Sequence, residues 1–197
     1  MAPPPVPSVL ETDRLVLRPR RAEDAATYRL LWTERDPRVP EHRRIDAHGR
    51  PTVADVAARL GDEPGLLAVH RRDTDEVVGC CGLTGWGSPP PDEPELAFEL
   101  LRAAQGRGYA TEAGRAVVAW ARASGCTRLR ATVWDWNVAS RRVLAKLGFR
   151  ETGEVVARSA EGCSLLTVRD LRAGRVLPRA PVAIPRARST GLLCQEN

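Results

Sequence analysis

No run of about 18 apolar residues occurs anywhere in the chain, which excludes a conventional membrane-spanning helix. The opening MAPPPVPSVLETDR has neither the basic nor the apolar region of a secretory signal, so the expected compartment is the cytoplasm. Cysteines are few and odd in number: Cys80, Cys81, Cys126, Cys163 and Cys194 imply no disulfide framework, and adjacent Cys80 and Cys81 share one strand-like run where they cannot easily bridge. Histidine is rarer still. His42, His48 and His70 stand neither as an i, i+4 pair in a zinc motif nor beside paired cysteines, so no metal is expected. Aromatic residues make up only 5%, and no basic stripe with interleaved aromatics crosses the body of the chain, which argues against a nucleic-acid partner.

What is present is ordinary for a globular protein. Hydrophobic residues are 43% and charged residues 28% of 197, a length that suits one core. The net charge of +5 is unevenly placed: Arg172, Arg175, Arg179, Arg186 and Arg188 against Glu196 carry most of it. Proline gathers in residues 2–8, and residues 173–197 mix Pro, Arg and Ser without periodicity. The expected organisation is therefore an N-terminal extension over 1–9, a folded domain over 10–172, and a basic tail over 173–197.

Within that domain, RLVLRP (14–19) alternates like a half-buried strand, and AEDAATYRLLW (22–32) switches to helical spacing through Ala26, Leu30 and Leu31. Residues 33–51 read as a loop, and VADVAARL (53–60) as a short helix. GLLAVHR and EVVGCCGLTGW flank the turn-forming RDTD, as in a hairpin; SPPPDEP reads as a loop. ELAFELL (95–101) alternates, with Glu95, Ala97 and Glu99 on one face and Leu96, Phe98 and Leu100 on the other. A helix follows from Gly108 to Gly125, then the strand RLRATVW (128–134). NVASRRVLAKLGF predicts a helix capped by Asn137, with Val138, Arg141, Val143, Leu144 and Leu147 largely inward and Gly148 as its stop. ETGEVVAR and SLLTVRDL close the domain as strands. The order β-α-α-β-β-β-α-β-α-β-β is mixed α/β (α+β).

The chemistry concentrates in QGRGYAT. A helix leaves its first backbone N–H groups unpaired and carries about half a positive charge at that end, which attracts anions. Gly106 and Gly108 permit positive φ and bring a ligand to bare main chain, while Gln105, Arg107 and Thr111 can add donors. Two familiar phosphate sites do not fit. Tyr109 and Ala110 stand where a Walker loop needs Lys followed by Ser or Thr, and Gly114 comes too late for a dinucleotide fingerprint.

ETDRLVLRPRRAED, ELAFELLRAAQGRGYATEA and NVASRRVLAKLGFRE, in that order and spacing, resemble the GNAT superfamily of N-acetyltransferases, especially its ribosomal-protein-alanine acetyltransferase branch. The resemblance spans residues 10–172. It implies a mostly antiparallel sheet with helices on both faces and a central strand pair splayed by a bulge in ELAFELL. It also implies acetyl-CoA as cofactor. Gln105, Gly108 and Ala110 match the family's Q/R-x-x-G-x-G/A loop, so amides of Gly106, Arg107, Gly108, Tyr109, Ala110 and Thr111 would hold the pyrophosphate. Leu100 and Arg102 would bond pantetheine like another strand. Asn137 and Ser140 match the branch's N-x-x-S, with Asn137 toward pantetheine and Ser140 toward the sulfur; Asn137 also reads simply as a helix cap.

The acceptor implied is a primary amine: a protein or peptide N-terminus, or a small molecule. An amine attacks a thioester only when neutral, so a base is needed. Glu95, aligned with the acidic residue that opens this strand in the branch, and Glu99, on the same face, are the candidates. The tyrosine acid of many relatives is absent, since Leu144 occupies that position; Ser140 is the available substitute, although a coenzyme A thiolate can leave without an acid. Transfer in a ternary complex is expected, with no cysteine as acyl carrier. A catalytically degenerate coenzyme A binder is the alternative. Relatives include homodimers, and nothing in the sequence establishes one here.

Overall fold

The computed structural model describes residues 7–62, 64–85 and 93–171. The expected basic tail, most of the N-terminal extension and most of SPPPDEP lie outside the described residues. Eight strands form one sheet in the order β1-β2-β3-β4-β5-β6-β8-β7. They are β1 (Leu10–Glu11), β2 (Leu15–Pro19), β3 (Leu66–Arg71), β4 (Val77–Thr84), β5 (Glu95–Leu100), β6 (Arg128–Trp134), β7 (Arg150–Ser159) and β8 (Gly162–Asp170). Helices α1 (Ala25–Thr33), α2 (Val53–Arg59), α3 (Tyr109–Ala123) and α4 (Val138–Lys146) complete the domain. The element order matches the sequence reading, with β1 added as a two-residue edge.

Helices cover both faces because alternate side chains of the strands feed two separate cores. Leu15, Leu17, Leu67, Val69, Cys81, Leu83, Leu96 and Leu100 pack against Ala113, Val117 and Ala121 of α3 and Leu144 of α4. On the opposite face, Cys80 and Leu66 meet Ala25, Tyr28 and Leu31 of α1 and Val56 of α2. Two inward assignments are corrected here. In α1 the buried residues are Ala25, Tyr28 and Leu31, whereas Ala26 and Leu30 of the expected spacing are exposed, because the core lies under the stripe that packs with Val56 and Cys80. In α4, Val138 is exposed and Arg141 reaches outward to Glu151, leaving Leu144 and Leu147 as the buried anchors.

Every neighbouring strand pair is antiparallel except β5 with β6, which α3 connects as a crossover. That pair touches only at its start: Glu95 lies opposite Arg130, and the Arg130 N–H donates to the Pro94 carbonyl at 3.0 Å. Beyond this point no ladder joins β5 to β6, so the centre of the sheet opens into a V. The expected bulge is not its cause. The β4–β5 register runs unbroken from Gly79 opposite Leu100 to Thr84 opposite Glu95. Instead the Glu95 carboxylate accepts from the Thr132 N–H at 3.0 Å and from the Thr132 hydroxyl at 2.5 Å, taking a ladder donor of β6 for itself.

One buried ion pair anchors the α1 face. Arg18 forks onto Asp24 at 2.8 and 2.7 Å, with the two side chains 12% and 2% exposed. Burial pushes the Asp24 carboxyl up, but the Arg18 fork and the Arg21 N–H outweigh it and leave the group below its ordinary 3.8. A depressed carboxyl stabilises the fold above its unfolded value, and that contribution is lost as pH falls through the folded one. Arg18→Met strands the carboxylate in the core and should cost about 3 kcal/mol at neutral pH. In urea melts, the gap between wild type and variant should shrink as pH is lowered from about 7 toward 3; a constant gap would refute the assignment.

Candidate active site

The end of β5 and the start of α3 form the floor of the V. After Leu100 the chain makes a 3-10 turn over Arg102–Ala104, passes through Gly106 (φ +73°) and Gly108 (φ +83°), and enters α3. Both glycines lie in the left-handed region, where a β-carbon is disfavoured. Thr52 and Asn137 cap α2 and α4 by accepting from the N–H groups of Asp55 and Ser140. Gly108, the cap residue of α3, has no side chain to do so. The longest helix thus begins without a side-chain cap.

The first intrahelical bond is Glu112 N–H to the Gly108 carbonyl at 3.0 Å. Among the described residues, none of the main-chain N–H groups from Gly106 through Thr111 donates to the protein. An ideal β-carbon on Gly106 would meet nothing within 4 Å, so space stands in front of this row. Six unclaimed donors at a helix N-terminus fit a diphosphate.

The loop is braced from behind. Arg14 donates to the Arg107 carbonyl at 3.1 Å, lies 4.7 Å over the ring of buried Tyr109, and pairs with Glu112 at 2.6 Å. Glu112 also accepts from the Thr12 hydroxyl at 2.7 Å. Burial would raise the Glu112 carboxyl, yet Thr12 and Arg14 bring it below its usual range. Its negative charge is compensated by Arg14 and does not cancel the field of the helix end. Gln105 turns inward, its amide donating to the Leu100 carbonyl at 2.9 Å. The Thr111 side chain is buried, leaving its N–H as the group near the opening.

The other expected coenzyme contacts have partners of their own. The Arg102 N–H donates to the Glu34 carboxylate at 2.7 Å, and its guanidinium to the Glu34 carbonyl at 2.7 and 3.1 Å. Asn137 Oδ1 accepts from the Ser140 N–H at 3.1 Å, so the capping role holds, and the Ser140 hydroxyl has no partner among the described residues. Ser140 lies in the first turn of α4, the helix that follows β6 in the chain. Leu144 is in the core and offers no acid.

The structure separates the two glutamates. Glu95 uses Oε1 for both bonds to Thr132, and Oε2 has no partner among the described residues. Glu99 shares its face but is held by Arg35 at 2.7 and 2.6 Å through both oxygens. With both oxygens taken by the Arg35 fork, Glu99 has neither free to reach an acceptor amine. Neither Arg35 nor Glu34 was indicated by sequence; both lie in a loop whose charges have no periodicity. Burial pushes the Cys80 thiol up to about 12 and raises Cys81 as well, which removes both as nucleophiles. No group of three or more potential metal ligands occurs among the described residues.

The family comparison places the chain directly: the acetyltransferase (GNAT) domain model matches residues 14–150, and the chain belongs to that family. Membership implies acetyl-CoA-dependent transfer of an acetyl group to an amine. The uncharacterized N-acetyltransferase YoaA of Bacillus subtilis is 29% identical over 150 residues, 74% of this chain and 84% of YoaA. A GnaT-family acetyltransferase of Bordetella pertussis is 29% identical with a TM-score of 0.64, over 83% of this chain and 99% of that one. RimJ of Mycobacterium smegmatis, solved in complex with CoA-disulfide, superposes with a TM-score of 0.67 at 21% identity, over 86% of this chain and 90% of RimJ. The likeness to RimJ speaks for the fold alone.

Proposed function

We propose that this enzyme acetylates the α-amine of a protein or peptide by direct attack in a ternary complex. The observation that carries the reading is the row of six unclaimed amides from Gly106 to Thr111 beside a V in the sheet. Those amides would hold the pyrophosphate of acetyl-CoA, and the unpaired edge of β5 near Leu100 would hold the pantetheine arm. For pantetheine to reach the Arg102 N–H and the Leu100 carbonyl, Glu34 and Gln105 must give up their present bonds there. Bound acetyl-CoA supplies an acyl thioester to the V. Free coenzyme-facing groups of the protein then divide the work: Glu95 Oε2 takes a proton from the acceptor's ammonium, directly or through one water, while Oε1 stays on Thr132. The Ser140 hydroxyl would donate toward the departing thiolate, which can leave without an acid. That no disulfide joins Cys80, Cys81 and Cys163 among the described residues favours a cytoplasmic setting.

The test is release of free coenzyme A, followed with a thiol reagent, across peptides that begin with Ala, Ser or Met and a set of small amines. Release matched one-for-one by N-acetyl peptide is the expected outcome. Calorimetric uptake of acetyl-CoA without release for any acceptor would instead establish a coenzyme-binding protein and end the proposal.

A further inference from the structure

The stretch Glu34-Arg35-Asp36-Pro37-Arg38 leaves the end of α1 and runs from one side of the V to the other. Its inner end is fixed to β5: Glu34 holds Arg102, and Arg35 holds Glu99 while donating to the Arg43 carbonyl at 2.5 Å. Its outer end is held differently. Arg38 makes a two-point bond to its own neighbour Asp36 and otherwise lies 4.1 Å over the ring of Trp136, just past β6, with half its side chain exposed. Trp136 stacks in turn on Trp134, with centroids 6.0 Å apart and planes 12° from parallel. Trp134 is on the same face of β6 as Thr132, the partner of Glu95, because the intervening Val133 belongs to the opposite core.

Around this contact is an open cleft lined by Arg38, Asp135, Trp136, Ala160, Glu161 and Gly162. Gly162 is required at its base: a β-carbon there would come within 2.6 Å of Asp135 and 2.8 Å of the Trp136 ring. The cleft therefore presents an aromatic face and two carboxylates, with a guanidinium of the same chain resting on the ring. Electron-rich ring faces and nearby carboxylates attract cations, and a contact of this exposed kind is weak enough to exchange. By contrast, the charged forks at Arg35 hold the inner end in place while the outer end lets go.

We propose that Arg38 is an internal stand-in for a positively charged group of the acceptor, so that Trp136 with Asp135 and Glu161 selects acceptors carrying a cationic side chain next to the reacting amine. This rests on the proposed transfer at Glu95, whose partner Thr132 shares a face of β6 with Trp134. An entering guanidinium or ammonium displaces Arg38 from the ring and places the acceptor's N-terminus toward Glu95. Arg38 is then a specificity-determining residue that competes with substrate, and its removal strengthens binding.

Calorimetry on the full chain saturated with coenzyme A, which cannot transfer acetyl, tests this with two probes, Ala-Arg amide and Ala-Glu amide. Ala-Arg amide should bind wild type at least about tenfold tighter than Ala-Glu amide, Arg38→Ala should tighten Ala-Arg amide about two- to fivefold, and Trp136→Leu should erase the preference. Ala-Glu amide should be indifferent to Arg38→Ala. Equal binding of the two probes, weaker binding of Ala-Arg amide by Arg38→Ala, or no binding of either probe would each overturn the proposal. If Ala-Arg amide binds as described but yields no N-acetyl product with acetyl-CoA, the proposed transfer to peptide amines fails and the cation site stands.

Discussion

Gly108→Val should raise the dissociation constant for acetyl-CoA by about 100-fold or more while leaving the protein folded. At φ +83° a branched side chain is forced out of its allowed region, at a cost of about 1–2 kcal/mol if the loop keeps its shape. The cheaper response is for the loop to change shape. Gly108 is exposed, and a β-carbon there meets only the end of the Arg14 side chain at 3.5 Å, so nothing in the core resists. Rotation at this position redirects the N–H groups that start α3. Hydrogen bonds to a charged partner are worth about 1.5–3 kcal/mol each, so losing two accounts for the expected drop. Gly106→Asn is the counterpart, since asparagine tolerates positive φ; it should hold affinity within about tenfold. Calorimetry gives the constants and a thermal melt shows that the fold persists. Wild-type affinity in the valine variant would remove the loop from the coenzyme site.

Glu95→Gln should lower turnover by about 10²–10⁴-fold with little change in acetyl-CoA affinity. The substitution is chosen because it keeps what Oε1 does. A glutamine carbonyl still accepts from the Thr132 N–H and hydroxyl, so β5 and β6 stay parted, whereas the amide nitrogen in place of Oε2 cannot accept a proton. Glu95→Ala removes both functions, leaves the Thr132 N–H without its partner, and should lower stability as well as turnover. The difference between the two variants separates proton transfer from holding the strands. Glu99→Gln is the control: it disturbs the fork with Arg35 and should weaken anchoring of residues 34–38 more than it affects proton transfer. Turnover in Glu95→Gln above about a third of wild type would mean that the proton leaves by another route.

The glycine loop before α3 was legible in the sequence because its conformation is local. Two glycines and the first turn of a helix lie within seven residues, and each needs only its neighbours to adopt its conformation. Strand alternation was equally plain in ELAFELL and RLRATVW, whose ends fall within a residue of β5 and β6. Helix phase was less so. With Leu30 and Leu31 adjacent, spacing alone does not say which one points inward, and packing with Ala25, Tyr28 and Val56 took Leu31. Val138 went outward because it begins α4 where no core lies beneath it.

The division between Glu95 and Glu99 shows where such reading stops. Both are acidic residues on one face of one strand, and although the family resemblance points to Glu95, alternation alone does not separate them. Folding brought Arg35 across 64 positions onto Glu99 and Thr132 across 37 onto Glu95, leaving one carboxylate locked and the other with a free oxygen. The same is true of Glu34 with Arg102 and Arg38 with Trp136. Alternation and glycine placement by themselves determined the main strands and the open helix end, because backbone preferences act between near neighbours, and the order of three motif blocks carried the resemblance to the family. The roles of individual charged side chains were decided only by tertiary structure, because an arginine-rich chain offers each carboxylate many partners and packing alone selects among them.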